Sequence, residues 1–133
     1  MEADEREKFV ERSVRAWNES DWEGLRSMWT ADGEIVAPEA WPESGTFFGW
    51  AAIEQQFRRL KDSWAEERTE TMSIESIGGA VLTHTRWVVR GEASGAPLEV
   101  EIWMLCEFEG ELISKATYFM EAEAARAAAE RGA

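Results

Sequence analysis

The 133-residue chain carries 27 acidic against 14 basic side chains, a net charge of −13, and 8 tryptophans. A balance this acidic repels phosphate backbones and anionic bilayers, which excludes nucleic acid and membrane surfaces as partners. The opening MEADEREKFVER lacks the apolar stretch of a leader and no run approaches the ~20 apolar residues that span a bilayer, so a soluble cytoplasmic protein is expected.

The length suits one domain, 1–133, burying roughly two thirds of the surface its unfolded form exposes. Residues 4–18 set Phe9, Val10, Ser13, Val14 and Trp17 on one helical face with charges opposite, which predicts an amphipathic helix docked by a single stripe. Asn18 to Asp21 break it, and Ser20 or Asp21 caps a second short helix whose apolar side is Trp22, Leu25, Met28 and Trp29. Thr30 to Gly33 turn the chain into a short strand, Glu34–Ala37, stopped by Pro38. From 38 to 50, PEAWPESGTFFGW has no sustained period. It reads as a loop whose Trp41, Phe47 and Phe48 either cover the mouth of a cavity or pin the loop down. Residues 50–64 form a third helix through Ile53, Phe57, Leu60 and Trp64; Glu66–Glu70 reads as a charged connection, Thr71–Ile77 as a strand and Gly78-Gly79 as a turn.

Three long strands follow, 81–90, 98–108 and 111–119, and their register decides which side chains share a face. A two-residue Glu109-Gly110 turn pairs Phe108 with Glu111, Cys106 with Ile113, Met104 with Lys115, Ile102 with Thr117 and Val100 with Phe119. Across the 91–98 turn the most economical register pairs Val89 with Val100, Trp87 with Ile102, Thr85 with Met104 and Thr83 with Cys106. One face is then apolar apart from Thr83, Thr85, Thr117 and Lys115. The other collects His84, Arg86, Val88 and Arg90 against Glu99, Glu101, Trp103 and Leu105, a half-exposed surface with a sticky patch. The tail after Phe119, MEAEAARAAAERGA, has high helix propensity and little amphipathy, and reads as a frayed terminal helix with a solvated face. Helices, then a strand, then antiparallel strands predict an α+β fold with a curved sheet and three helices from the N-terminal half on its concave face.

Few residues invite chemistry. Cys106 lies on an apolar strand face, where a structural thiol is expected. His84, the sole histidine, alternates onto the opposite face, where an interfacial or exposed role is expected. No cluster has metal-ligand spacing and no glycine-rich loop opens a helix, so neither metal nor cofactor is expected. Lys115 is the candidate of interest: an ammonium desolvated among apolar walls, with Thr85 and Thr117 beside it, would have a lowered pKa and could serve as base, nucleophile or anchor for an anion.

The segments AWNESDWEGLRSMWTADGEI, FFGWAAIEQQF and RWVVRGEASGAPLEVEIWMLCEFEGELISKATYFMEAEAA together resemble the SnoaL-like proteins of the nuclear transport factor 2-like superfamily, which also holds ketosteroid isomerase and limonene epoxide hydrolase. The resemblance covers nearly the whole chain and implies a cone-shaped roll with an apolar cavity, commonly dimeric through the convex sheet, here at His84, Arg86, Trp103 and Leu105. Carried over by position, the isomerase base falls on Ala37, its oxyanion tyrosine near Ser13 and its protonated aspartate near Met104. The hydrolase aspartate falls near Thr117, and Arg86 faces the wrong way for that network. The expectation is therefore a pocket for a small apolar or aromatic molecule walled by Trp17, Trp41, Phe57, Trp87, Ile102 and Phe119, with Ser13, Ala37, Thr83 and Met104 contributing. Its activity would be that of a cofactor-independent isomerase, lyase or cyclase using Lys115, Thr85 and Thr117, the alternative being a non-catalytic dimeric interaction module.

Overall fold

The structure, a computed structural model, describes residues 1–41, 43–92 and 95–132. Helix α1, Ala3–Asn18, is opened by a capping box between Glu2 and Glu5 and buries Val10, Ser13, Val14 and Ala16. Helix α2, Trp22–Met28, starts at Asp21, whose side chain accepts from the Gly24 N–H at 3.0 Å. Strand β1, Trp29–Ala37, is longer than its sequence suggests, because Thr30 to Gly33, where a turn is expected, are carried inside the strand as an irregular stretch between the Trp29↔Ile113 and Glu34↔Lys115 rungs. The loop expected over 38–50 holds an edge strand, β2, Gly45–Phe48, antiparallel to β1. Helix α3, Trp50–Asp62, then buries Ile53, Gln56 and Phe57.

Strand β3, Glu66–Ile77, likewise begins five residues ahead of the expected Thr71. It is followed by β4, Ala80–Arg90, β5, Leu98–Glu109, β6, Leu112–Phe119, and helix α4, Ala122–Gly132. The six strands make one curved, unclosed sheet in the order β2-β1-β6-β5-β4-β3, with β1 and β6 parallel and every other pair antiparallel. This is the α+β roll expected, with α1 to α3 on one face. No helix among the described residues is long and apolar enough to cross a membrane.

Bulges correct the expected register. Residues 108 and 113 pair, but the next rung joins Glu107 to Lys115, so Ser114 is an extra residue in β6. Beyond it Cys106 faces Ala116, Leu105 faces Thr117, Met104 faces Tyr118 and Trp103 faces Phe119. Strand parity flips at that point, so Ala116 and Tyr118 take the inner positions assigned by even counting to Lys115, Thr117 and Phe119. Between β4 and β5 the register differs from the expected one by two residues, with Thr85 on Ile102, Thr83 on Met104 and Trp87 on Val100. A shift of two preserves the faces. A second bulge at Met72 separates Thr71↔Thr85 from Ser73↔His84.

The inner core is Val10, Trp29, Ile35, Ile53, Phe57, Val81, Cys106, Ile113 and Ala116. The terminal helix is not solvated all round: Ala125 and Ala129 of α4 are buried on Leu82 and Leu105 of the outer sheet face, with Trp103 and Phe119 at the edge. Small side chains let an alanine-rich helix lie close to a sheet, a packing that propensity alone does not announce. Arg126 of α4 fastens it further by a two-pronged contact with Glu75 at 2.7 and 3.2 Å.

Candidate functional site

Between the helices and the inner face of the sheet lies a cavity of about 90 Å³. Helix α1 contributes Ser13, Val14 and Trp17; β4 contributes Thr85 and Trp87; β5 contributes Ile102, Met104 and Cys106. Trp29, Trp41, Phe57 and Tyr118 complete an aromatic wall. These rings touch chiefly edge to face: Trp17 on Phe57 with centroids 5.2 Å apart, Trp29 on Phe57 at 6.5 Å, and Trp41 tilted on Tyr118 at 5.1 Å. Trp41, in the segment read as a possible cover, thus closes the cavity over β6, and its indole N–H reaches Met120 Sδ at 3.4 Å.

The polar groups of the wall are few. Thr85 Oγ1 donates to the Ile102 carbonyl at 2.9 Å and Ser13 Oγ to the Val10 carbonyl at 2.7 Å, so both hydroxyl protons are engaged. Among the described residues the hydroxyls of Tyr118 and Thr69 and the indole N–H of Trp29 make no hydrogen bond. Burial, with Cys106 beside it, holds the Tyr118 phenol above its usual pKa, so it remains protonated and can donate. Cys106 is pushed up to about 12 by burial first and by Glu107 second, which leaves an inert thiol, as its apolar position suggests.

One carboxylate stands among these elements, and sequence reasoning missed it. Glu67, placed in a charged connection by its neighbours Glu66 and Arg68, lies in β3 opposite Val89. Its Oε1 accepts the indole N–H of Trp17 at 2.9 Å and of Trp87 at 3.0 Å, while Oε2 meets Lys61 Nζ at 2.5 Å. The side chains of Lys61 and Glu67 are only 11% and 8% exposed. Alternation counted back from Ile74 and Met72 would have set Glu66, Arg68 and Glu70 inward; the bulge at Met72 reverses that parity and brings Glu67 and Thr69 to the inner face, so the sequence carried no signal for it.

Of the expected residues, Ser13, Trp17, Trp41, Phe57, Thr85, Trp87, Ile102 and Met104 line the cavity. Ala37 and Thr83 are buried but lie outside its wall: Ala37 ends β1 against Gly45 of β2, and Thr83 is held between Ile74 and Met104 with its hydroxyl unpartnered among the described residues. Lys115, Thr117 and Phe119 are corrected outright, since the Ser114 bulge turns them outward. The Lys115 side chain is 38% exposed and stands 4.0 Å from Glu34 across β1, a solvent-side ion pair in place of an ammonium in an apolar hollow. On the outer face His84 stacks on Trp103, with rings 4.5 Å apart and 4° from parallel, and its Nε2 lies 2.9 Å from Glu101. Arg86 stands between Glu70 and Glu99 at 3.9 and 3.7 Å. Leu105, expected on an open interface, is buried beneath α4.

The SnoaL-like domain model matches residues 10–116, most of the chain. The chain belongs to the SnoaL-like family. This SnoaL-like protein is similar in structure to Bal32a from a soil-derived mobile gene cassette, at 20% identity over 90% of this chain and 91% of that one, with a TM-score of 0.78. TerC co-crystallised with polyporic acid aligns at 17% identity over 92% and 96% of the two chains, TM-score 0.76. A Catenulispora acidiphila protein with a ketosteroid isomerase-like fold, in complex with trimethylamine, aligns at 18% identity over 90% and 89%, TM-score 0.74. At such identities the likeness carries the fold. No curated protein matches the chain in sequence.

Proposed function

We propose that this SnoaL-like chain, working as one domain over 1–133, binds a small neutral apolar molecule of about single-ring size. The observation that carries the reading is the void itself. A space of about 90 Å³ walled by indole, phenyl and aliphatic groups stays poorly hydrated and favours an apolar occupant. An engineered apolar cavity of ~150 Å³ holds benzene, so a one-ring ligand already needs the wall to give slightly and a polycyclic one would need it to move much further. Tyr118 supplies the polar handle, donating to a carbonyl or similar acceptor on the ligand. Complexes of the relatives TerC and the Catenulispora protein with small molecules are compatible with such a role.

Binding is favoured over acid-base turnover. Cyclase or isomerase chemistry needs a carboxylate or other base facing the substrate, whereas Glu67 is already engaged by Lys61 and two indoles. The test is a titration of the intrinsic tryptophan fluorescence with acetophenone and with toluene. Acetophenone should quench the native protein, and Tyr118→Phe should weaken acetophenone about fivefold to tenfold, the worth of one neutral hydrogen bond, while leaving toluene unaffected. Absence of quenching by either compound sinks the pocket, and equal loss for both removes Tyr118 as the handle.

The patch left open on the outer face beside α4, His84 stacked on Trp103 with Phe119 paired to Trp103, favours a second reading alongside the first, a homodimer through that face. Sedimentation of Trp103→Glu should then give monomer where the parent gives dimer.

A further inference from the structure

The carboxylate of Glu67 makes an arrangement that the cavity reading does not absorb. One oxygen accepts two indole N–H groups, those of Trp17 and Trp87, and both rings are cavity wall. The other oxygen is fixed by Lys61, which also donates to the Trp17 carbonyl at 2.7 Å and lies 4.4 Å over the Trp17 ring. Four elements meet there: α1 through Trp17, α3 through Lys61, β3 through Glu67 and β4 through Trp87. An ion pair this buried contributes little net stability unless its remaining hydrogen-bonding positions are filled, and here the two indoles and a helix-end carbonyl fill them.

An indole has a single polar atom, so where its N–H points decides whether the ring offers a neighbour a donor or only carbon and π surface. Four tryptophans line the cavity, and Glu67 draws the N–H groups of two of them out of the interior. We propose that Glu67 is the specificity-determining residue of this pocket: by holding the Trp17 and Trp87 indoles by their N–H groups it sets their planes and withholds their two protons from the interior, leaving the Tyr118 and Thr69 hydroxyls and the Trp29 N–H as its unengaged donors. The inference rests on the cavity being a ligand site, and it names the ligand class more narrowly, as a one-ring molecule that lays bare hydrocarbon on the Trp17 and Trp87 rings and turns its acceptor to Tyr118. A ligand that sets a second acceptor against those two rings is discriminated against because they offer it no proton.

The experiment follows the eight indole N–H resonances of the full chain by ¹⁵N–¹H correlation, with Trp17→Phe and Trp87→Phe for assignment, and in parallel titrates acetophenone and 1,4-diacetylbenzene. Glu67→Leu should shift the Trp17 and Trp87 resonances together, weaken acetophenone about tenfold or more and narrow its advantage over the diketone. The double variant Lys61→Met with Glu67→Gln keeps an acceptor oxygen without the ion pair, and it should retain both resonances near their native positions and acetophenone affinity within about threefold. A double variant as damaged as Glu67→Leu would overturn the proposal in favour of a purely electrostatic or structural role. So would a folded Glu67→Leu with unmoved resonances and unchanged selectivity. Where Glu67→Leu does not fold, the double variant decides alone. Failure of the native protein to bind acetophenone removes the pocket reading, whereas the resonances report on the indole clamp without any ligand.

Discussion

The same strands build two faces of the sheet, and the two are filled in opposite ways. Outside, α4 lays alanines on Leu82 and Leu105 and closes the surface with small groups, leaving Ala125 and Ala129 almost without exposure. Inside, rigid rings meet at their edges and leave a void of about 90 Å³, together with a buried Thr83 hydroxyl and Gln56 amide that have no partner among the described residues. Small side chains conform to a neighbour, whereas indoles have few rotamers and flat outlines, so dense aromatic packing of three helices on a curved sheet tends to leave gaps. The hollow face is therefore the one with a functional prospect.

The largest expected effect comes from putting a charge where even counting had expected one. Ala116→Lys sets an unpaired ammonium at the fully buried inward position opposite Cys106, and loss of the cooperative thermal transition is expected, whereas deleting Ser114 only restores plain alternation, keeps Lys115 and Thr117 outward and Tyr118 inward, and should leave the transition cooperative. A normal transition for Ala116→Lys would show that parity beyond Ser114 is not reversed.

Next in size is a direct comparison of the faces by denaturant unfolding. Leu105→Ala, beneath α4, should cost about 2–5 kcal/mol, and Ile102→Ala, three residues earlier on the opposite face at the cavity wall, should fall toward the lower end of that range. A side chain that already borders a void has fewer contacts to lose. Equal costs would mean that the cavity is closed in solution.

Cys106 probes the inner face chemically. Its thiol, pushed up to about 12 by burial, should resist a disulfide reagent at neutral pH at a rate set by global unfolding, and Leu105→Ala should speed labelling through stability alone. Fast labelling of the native chain would reveal an open path into the hollow.

The smallest effect belongs to the outer clasp. Arg126 holds the Glu75 carboxyl below its usual 4.5, chiefly by their hydrogen bond and then by charge. A carboxylate whose folded pKa is depressed adds stability above its unfolded value and loses it as pH falls through the folded one. Arg126→Ala should therefore flatten the acid limb of the stability curve slightly and leave neutral stability almost unchanged, because both groups are about half exposed. A large loss at pH 7 would make the clasp the main anchor of α4.

Much of the architecture was legible. Helical stripes at Phe9 to Trp17 and Ile53 to Leu60, a cap at Asp21 and long alternating strands follow from local preference and period, which act over a few residues. Seven of the eight expected residues that border the cavity lie in those helices and strands, and the eighth, Trp41, lies in a segment without a period. Alternation also gave the correct face for His84, Arg86 and Trp103. What failed was parity across an irregular rung: nothing in ELISKATYF marks Ser114 as extra, because a bulge is chosen by how a strand fits its neighbour, here β5 on one side and a parallel β1 on the other.

Glu67 and α4 escaped for a related reason. A carboxylate among other charges looks solvated until two indoles and an ammonium from distant parts of the chain converge on it, and an alanine-rich tail looks frayed until a sheet face offers Leu82 and Leu105. The chain by itself determined the elements, the SnoaL-like kinship and the aromatic inventory, since these depend on composition and spacing. Only the tertiary structure decided that a phenol and not a lysine enters the cavity, because one inserted residue reverses every side chain beyond it.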